Sequence, residues 1–236
     1  HSSIILQTLS SLVFLLLFST FVFLFISFVT FILGVWQLYR LNWKNDLMEN
    51  INNSINAPKN FDNNEKYEEL ITVSLNNEFN FIENPIFLES KTQQGKVGYH
   101  AVLPLTYNDN FYSVINLGWI SDKDPEKIKN ILEKIKNQDS FYAYTRHLVD
   151  KRQFLVPENQ LDDNIWFSIL KSDIERYYKS NFNSSYYFVL FDPRIKPDIN
   201  PLAFLRNNHL NYSITWFLLS LSSAIMILII RRKSNG

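Results

Sequence analysis

Two uninterrupted apolar runs bracket a middle in which apolar and polar residues alternate, and this contrast divides the chain before any motif is considered. Leu12 to Val35, LVFLLLFSTFVFLFISFVTFILGV, carries no charge. As a helix it is roughly 36 Å long, at about 1.5 Å per residue, which crosses a bilayer with some tilt. Ile214 to Ile230 is the second run, stopped by Arg231, Arg232 and Lys233, and counting from Leu210 brings it to spanning length. A secretory signal has a basic start and a shorter apolar core, and the first run fits neither. Between the runs the hydrophobic period is that of folded, water-facing structure. In LITVSL, Leu70 to Leu75, the alternate residues Ile71, Val73 and Leu75 share one face, as in a half-buried strand. Ile86 to Leu88, Tyr99 to Thr106 and Phe111 to Ile120 read as further strands. Asn108, Asp109 and Asn110 supply the turn between the last two, so an antiparallel meander is expected. Asp124 then caps a helix, Pro125 suits its first position, and Ile128, Ile131, Leu132 and Ile135 recur along one helical face. Phe141 to His147 returns to strand, Ile165 to Lys179 is expected as helix, and Tyr186 to Phe191 as a last strand. Three prolines in Asp192 to Pro201 exclude helix and central strand and leave an extended lead-in to the second span.

The expected class is therefore α+β: two transmembrane helices flanking a mostly antiparallel β-sheet domain with inserted helices. The expected divisions are an N-terminal segment 1–11, a first span 12–35, a water-facing domain 36–206, a second span 207–230 and a basic tail 231–236. Charge sharpens the picture. All 23 acidic residues lie between the spans, against 20 of the 23 basic ones. That near balance lacks the basic stripe a nucleic-acid partner requires. With no cysteine there is no disulfide framework, thiolate metal site or cysteine nucleophile. The basic tail places itself in the cytoplasm or matrix, with the domain on the far side. Arg40 and Lys44 point the other way, but long domains translocate largely regardless of charge. The chain opens on His1 rather than methionine, as expected of a removed targeting segment or an incompletely observed start.

Catalytic patterns fail in turn: there is no Gly-rich phosphate loop, no Gly-x-Ser-x-Gly elbow and no histidine pair at zinc spacing on one helix. The carboxylate pairs Glu68/Glu69 and Asp162/Asp163 lie in polar stretches and read as solvated surface. An enzyme is not expected. The membrane-proximal ends carry more. In GVWQLYRLNWK, Trp36, Tyr39, Arg40 and Trp43 share a helical face, as interfacial anchors do. His209, Tyr212, Ser213 and Trp216 form a matching stripe where the second span begins. Two such aromatic faces at one membrane surface are expected to pack together. Asn207 or Asn208 caps that helix and leaves His209 in its first turn, where the dipole disfavours imidazolium. Two readings stand for His209: an interfacial anchor, or a neutral imidazole of the kind that ligates iron, with Trp216 as a flat apolar wall. His100 and His147 lie in expected strands and take structural readings.

The order of a span ending in GVWQLYRLNWK, then GYHAVLPL (Gly98 to Leu105), INLGWI (Ile115 to Ile120) and NNHLNYSITWF before a second span resembles the Surfeit locus protein one family. Leu117 departs from it, standing before Gly-Trp where the family usually has arginine. The resemblance implies an assembly factor for cytochrome c oxidase that assists formation of the haem a centre in the catalytic subunit. It implies a domain facing the intermembrane space or periplasm, in the mitochondrial inner membrane or a bacterial plasma membrane. Composition rich in Asn, Lys, Ile, Phe and Tyr, with the start at His1, inclines to the mitochondrion. By motif, His209 would hold haem iron and Trp216 flank a transiently bound haem a. Interface candidates are Trp36, Gln37, Tyr39, Arg40, Trp43, Tyr99, His100, Trp119 and Tyr212. Expected partners are the catalytic subunit, other respiratory-chain subunits and membrane lipid. The alternative is a resident accessory subunit of the mature oxidase or its supercomplex, using the same fold as a permanent interface.

Overall fold

In the computed structural model, which describes residues 2–182, 184–196, 205 and 207–234, the chain forms two compact units. One comprises residues 1–48 and 205–236, the other residues 49–204. His1 and residues 197–201 of the proline-rich lead-in lie outside the described residues.

The first unit is a pair of long helices. Helix α1 runs Ser2–Asn56. It is therefore roughly 80 Å long and outreaches a bilayer, so the apolar run is only its central part. It stops where Pro58 biases Ala57 away from helical geometry. Helix α4 runs His209–Ser234. Both contain stretches long and apolar enough to cross a membrane. In their most apolar windows only 6% and 17% of residues are buried, unlike a soluble core helix, so their apolar side chains face outward as lipid requires.

The second unit is α+β. Among the described residues its sheet has eight strands: β1 Lys59–Asn60, β2 Thr72–Asn76, β3 Phe79–Phe81, β4 Ile86–Gln93, β5 Lys96–Tyr107, β6 Asn110–Ile120, β7 Ser140–His147 and β8 Tyr186–Leu190. The order is β1-β2-β7-β8-β6-β5-β3, with β4 also on β5. β1–β2 and β6–β8 are parallel and the other pairs antiparallel. β4, β5 and β6 form the expected meander. Asn108 and Asp109, both at positive φ, join Tyr107 to Asn110 in the two-residue hairpin that this geometry favours.

Alternation sends side chains to two cores. Ala101, Leu103, Leu105, Ile115 and Leu117 enter one, where helix α2 (Pro125–Lys136) packs Ile128, Leu132 and Ile135. Val102 and Val114 enter the other, with Trp166, Ile174 and Phe182. As expected, α2 starts at Asp124, whose carboxylate accepts from Glu126 N–H at 3.0 Å. The last turns of α1 belong to this unit: Ile51 is fully buried, and Ile55 packs on Tyr144, Val189 and Phe191.

Three local expectations are corrected. The strand expected from Leu70 begins at Thr72, because Leu70 has φ +67° and its N–H bonds Thr145 O. Helix α3 is Lys171–Tyr178 rather than Ile165–Lys179. Residues 165–170 instead bridge Leu88 and Val149, and Asn159 Oδ1 accepts from Phe167 and Ser168 N–H. The buried Trp166, its indole donating to Asn164 at 2.9 Å, outweighs the helical spacing. The described part of the lead-in is a turn rather than extended, closed by Ile195 and Lys196 N–H donating to Asp192 O.

Candidate functional site

The motif residues gather at two places, one in each unit. In the helical unit the seam between α1 and α4 is lined by small and polar side chains. Residue numbers fall on α1 as they rise on α4, so the helices are antiparallel. Asn207 Nδ2 donates to Asn45 Oδ1 at 2.9 Å, and His209 Nδ1 lies 2.7 Å from Gln37 Oε1. Ser213 Oγ donates to Gly34 O at 3.1 Å, and Ser220 Oγ donates to Ser27 O at 2.9 Å. Gly34 lets the helices approach: a Cβ there would lie 2.7 Å from the Phe217 ring. Small residues and interhelical hydrogen bonds are what hold helices together in lipid, where apolar burial offers no advantage over the tails.

The aromatic faces do not pack together as expected. Trp36, Tyr39, Trp43 and Tyr212 point outward, at 44 to 69% exposure. Arg40 lies on the Trp43 ring with its guanidinium carbon 4.3 Å from the centroid. This is the arrangement of an interfacial belt, with the polar seam behind it. His209 opens α4, its N–H 3.4 Å from Asn207 Oδ1, and is half-buried, as is Trp216 two turns further on. Its Nε2 has no hydrogen-bond partner among the described residues. Leu210, Tyr212 and Ile214, in the opening turns of the same helix, are exposed. A histidine held through one ring nitrogen is a donor of the kind that haem iron takes.

The second place joins the two sheet motifs. In the β5–β6 ladder, His100 is opposite Trp119 and Tyr99 opposite Ile120. Asn116 Oδ1 accepts from Gly118 N–H at 2.8 Å, which turns its Nδ2 toward His100 Nδ1 at 3.2 Å. Burial, then the positive charges of Lys91 and Lys196, push the His100 imidazole down to about 4, so it is neutral at physiological pH. Trp119 donates to Lys91 O at 3.1 Å over Gly98, where a Cβ would come 2.3 Å from Ile120 O and 2.6 Å from the indole nitrogen. Lys196 Nζ donates to Leu117 O and Trp119 O at 3.0 and 2.6 Å. Tyr99 lies beneath the Lys123 ammonium, 4.9 Å from its ring centroid. Leu117 is wholly buried in the core. His147 is exposed at the end of β7.

Sequence reasoning left Gln37 without a partner and missed the seam. Ser27, Thr30 and Gly34 on one span, and Ser213 and Ser220 on the other, carry its signal as small residues at three-, four- and seven-residue spacing. Two open clefts in the second unit, of about 360 and 710 Å³, contain none of the motif residues. Among the described residues no group of three His, Asp or Glu side chains is placed to hold a metal ion.

A sequence profile of the SURF1 family matches residues 24–221, most of the chain and both seam-forming segments. Similar proteins include a SURF1-like protein of Rickettsia prowazekii (strain Madrid E), 28% identical over 228 residues, covering 89% of this chain and 90% of that protein. A SURF1-like protein of Dictyostelium discoideum is 26% identical, covering 82% and 89% of the two chains. One of Caenorhabditis elegans is 26% identical, covering 83% and 68%.

Proposed function

The chain belongs to the SURF1 family, and from that premise we propose that it assists the assembly of cytochrome c oxidase, acting while the haem a centre of the catalytic subunit is formed. In this reading the two helices anchor it in a mitochondrial inner membrane or bacterial plasma membrane. The sheet domain faces the intermembrane space or periplasm and meets the nascent catalytic subunit. His209 would hold the iron of a transiently bound haem a, and Trp216 would offer its ring an apolar face. The bound haem supplies an iron that accepts a neutral nitrogen ligand, and its ring is apolar enough for a membrane-level site. The chain's own part is to position the imidazole, through Gln37 at Nδ1.

The observation that carries the reading is His209 at the opening of α4, bonded across the seam to Gln37 through Nδ1. An imidazole serving only as an interfacial anchor needs no such fixed partner. Its exposed aromatic neighbours, Trp36, Tyr39 and Tyr212, supply the anchoring instead.

The test is stoichiometry and haem content together. With the catalytic subunit tagged, this chain is quantified in active oxidase and in particles lacking haem a. A trace amount in the active complex, with enrichment in the immature particles, is expected. His209→Ala is expected to lower haem a in the oxidase while leaving this chain in the membrane. A ratio near one in active oxidase would make it a resident subunit, and unchanged haem a in the variant would remove His209 from the mechanism.

A further inference from the structure

We infer that Gln37 is a positioning residue that fixes the tautomer of His209, placing the ring proton on Nδ1 and leaving the Nε2 lone pair free for a metal. The inference deepens the proposed haem reading and rests on it for its functional consequence. The tautomer itself follows from the orientation of the Gln37 amide, whose oxygen faces the ring. Two acceptors do not bond each other, so an amide oxygen 2.7 Å from Nδ1 requires a proton on that nitrogen. A neutral histidine in water favours the other tautomer, with the proton on Nε2, and that form has no lone pair to offer iron at Nε2. The Gln37 oxygen reverses this preference. Metal-binding histidines commonly have such a partner, which sets the tautomer and the ring plane together.

The fold holds the pair in register. Asn207–Asn45 lies on one side of it and Ser213–Gly34 on the other, so interhelical hydrogen bonds clamp the helices above and below. Gln37 is half-buried on the seam, whereas its neighbours Trp36 and Leu38 are exposed. An anchor would point outward with them. Inward placement fits a residue whose task is to hold another side chain. Either orientation of the amide is chemically available, and the opposite one would put the proton on Nε2. The proposal therefore has a direct physical readout that needs no haem.

The full chain, labelled with ¹⁵N-histidine and purified in detergent micelles, is examined by two-bond proton–nitrogen correlation. His209→Ala identifies the signals. His209 is expected with its proton on Nδ1, and Gln37→Leu is expected to move it to Nε2. Gln37→Glu, which keeps an acceptor, is expected to restore Nδ1–H, so a structural loss in the leucine variant is told apart from loss of the acceptor. Titration with ferric haem a, followed by its absorption band, is expected to show binding weakened about 10- to 100-fold in Gln37→Leu and recovered in Gln37→Glu. A proton on Nε2 of the wild-type histidine overturns the inference whatever the haem does. Wild-type haem affinity in Gln37→Leu, with binding lost in His209→Ala, overturns the role of Gln37 and leaves the haem reading standing. Wild-type affinity in His209→Ala removes the haem reading itself and with it the function inferred for Gln37.

Discussion

His100 in the sheet and His209 in the helical unit are held in the same way, with Nδ1 facing a side-chain amide, yet the two amides face them with opposite polarity. Asn116 presents its nitrogen to His100 and Gln37 its oxygen to His209. The difference lies in what occupies the other end of the amide. Asn116 Oδ1 is already bonded by Gly118 N–H, so only its NH₂ remains to meet the ring. His100 therefore accepts at Nδ1 and carries its proton on Nε2. Half-buried, and kept neutral by desolvation and by the charges of Lys91 and Lys196, it is part of the β5–β6 ladder. His209 has the reverse arrangement, with the Gln37 amide oxygen at Nδ1. The same functional group, turned one way or the other, presents a donor to one histidine and an acceptor to the other.

The sheet side of this comparison is the easiest to break. Gly98→Ala places a Cβ against the Ile120 carbonyl and the Trp119 indole. It is expected to destabilise the sheet by about 3 kcal/mol, the upper end of ordinary overpacking, measured by urea unfolding of the full chain in detergent. Acid is next. The folded pKa of His100, about 4, lies below the ordinary 6.5, so the unfolded chain takes up a proton first. Stability from this group is complete above pH 6.5, falls as the pH drops from 6.5 to 4, and loses about 3 kcal/mol in all. His100→Phe is expected to flatten that slope in the same unfolding series. Asn116→Ala removes the bond to Gly118 N–H and the partner of His100, and is expected to cost about 2 kcal/mol by the same measurement. In the histidine nitrogen spectrum it would alter His100 and leave His209 unmoved. The smallest effect belongs to the seam. Ser220→Ala is expected to weaken helix association by about 0.6 kcal/mol, read from the change in donor–acceptor fluorescence transfer between labels on the two helices.

Much of this molecule was legible in the sequence, and the remainder was hidden for physical reasons. The meander and α2 were clear because local periodicity and local turn chemistry decide them: Asn108 and Asp109 sit in the hairpin, and Asp124 caps its own helix. Residues 165–170 were misread as helix because their fate depends on Leu88 and Asn159, one of them far away in sequence. Leu70 was misread because a positive φ is imposed on it by Thr145. At the candidate site the aromatic belt could be seen, since each ring responds to the membrane interface by itself. The seam could not be paired, because Ser27 and Ser220 are 193 residues apart and a serine inside an apolar run bonds its own helix equally well. The same limit hid the partners of His209 and His100, both of which come from other elements.

The seam has one more consequence. Four contacts, Asn45 with Asn207, Gln37 with His209, Gly34 with Ser213 and Ser27 with Ser220, specify how the two helices align. Sliding one helix by a single turn would mismatch all four at once, and would drive Phe217 away from the gap that Gly34 provides. Each contact is weak, but together they act as an address that tells one span where along the other to stop. The position of His209 is thus encoded partly in serines and a glycine deep in the apolar runs, and a substitution there would shift the histidine without touching it.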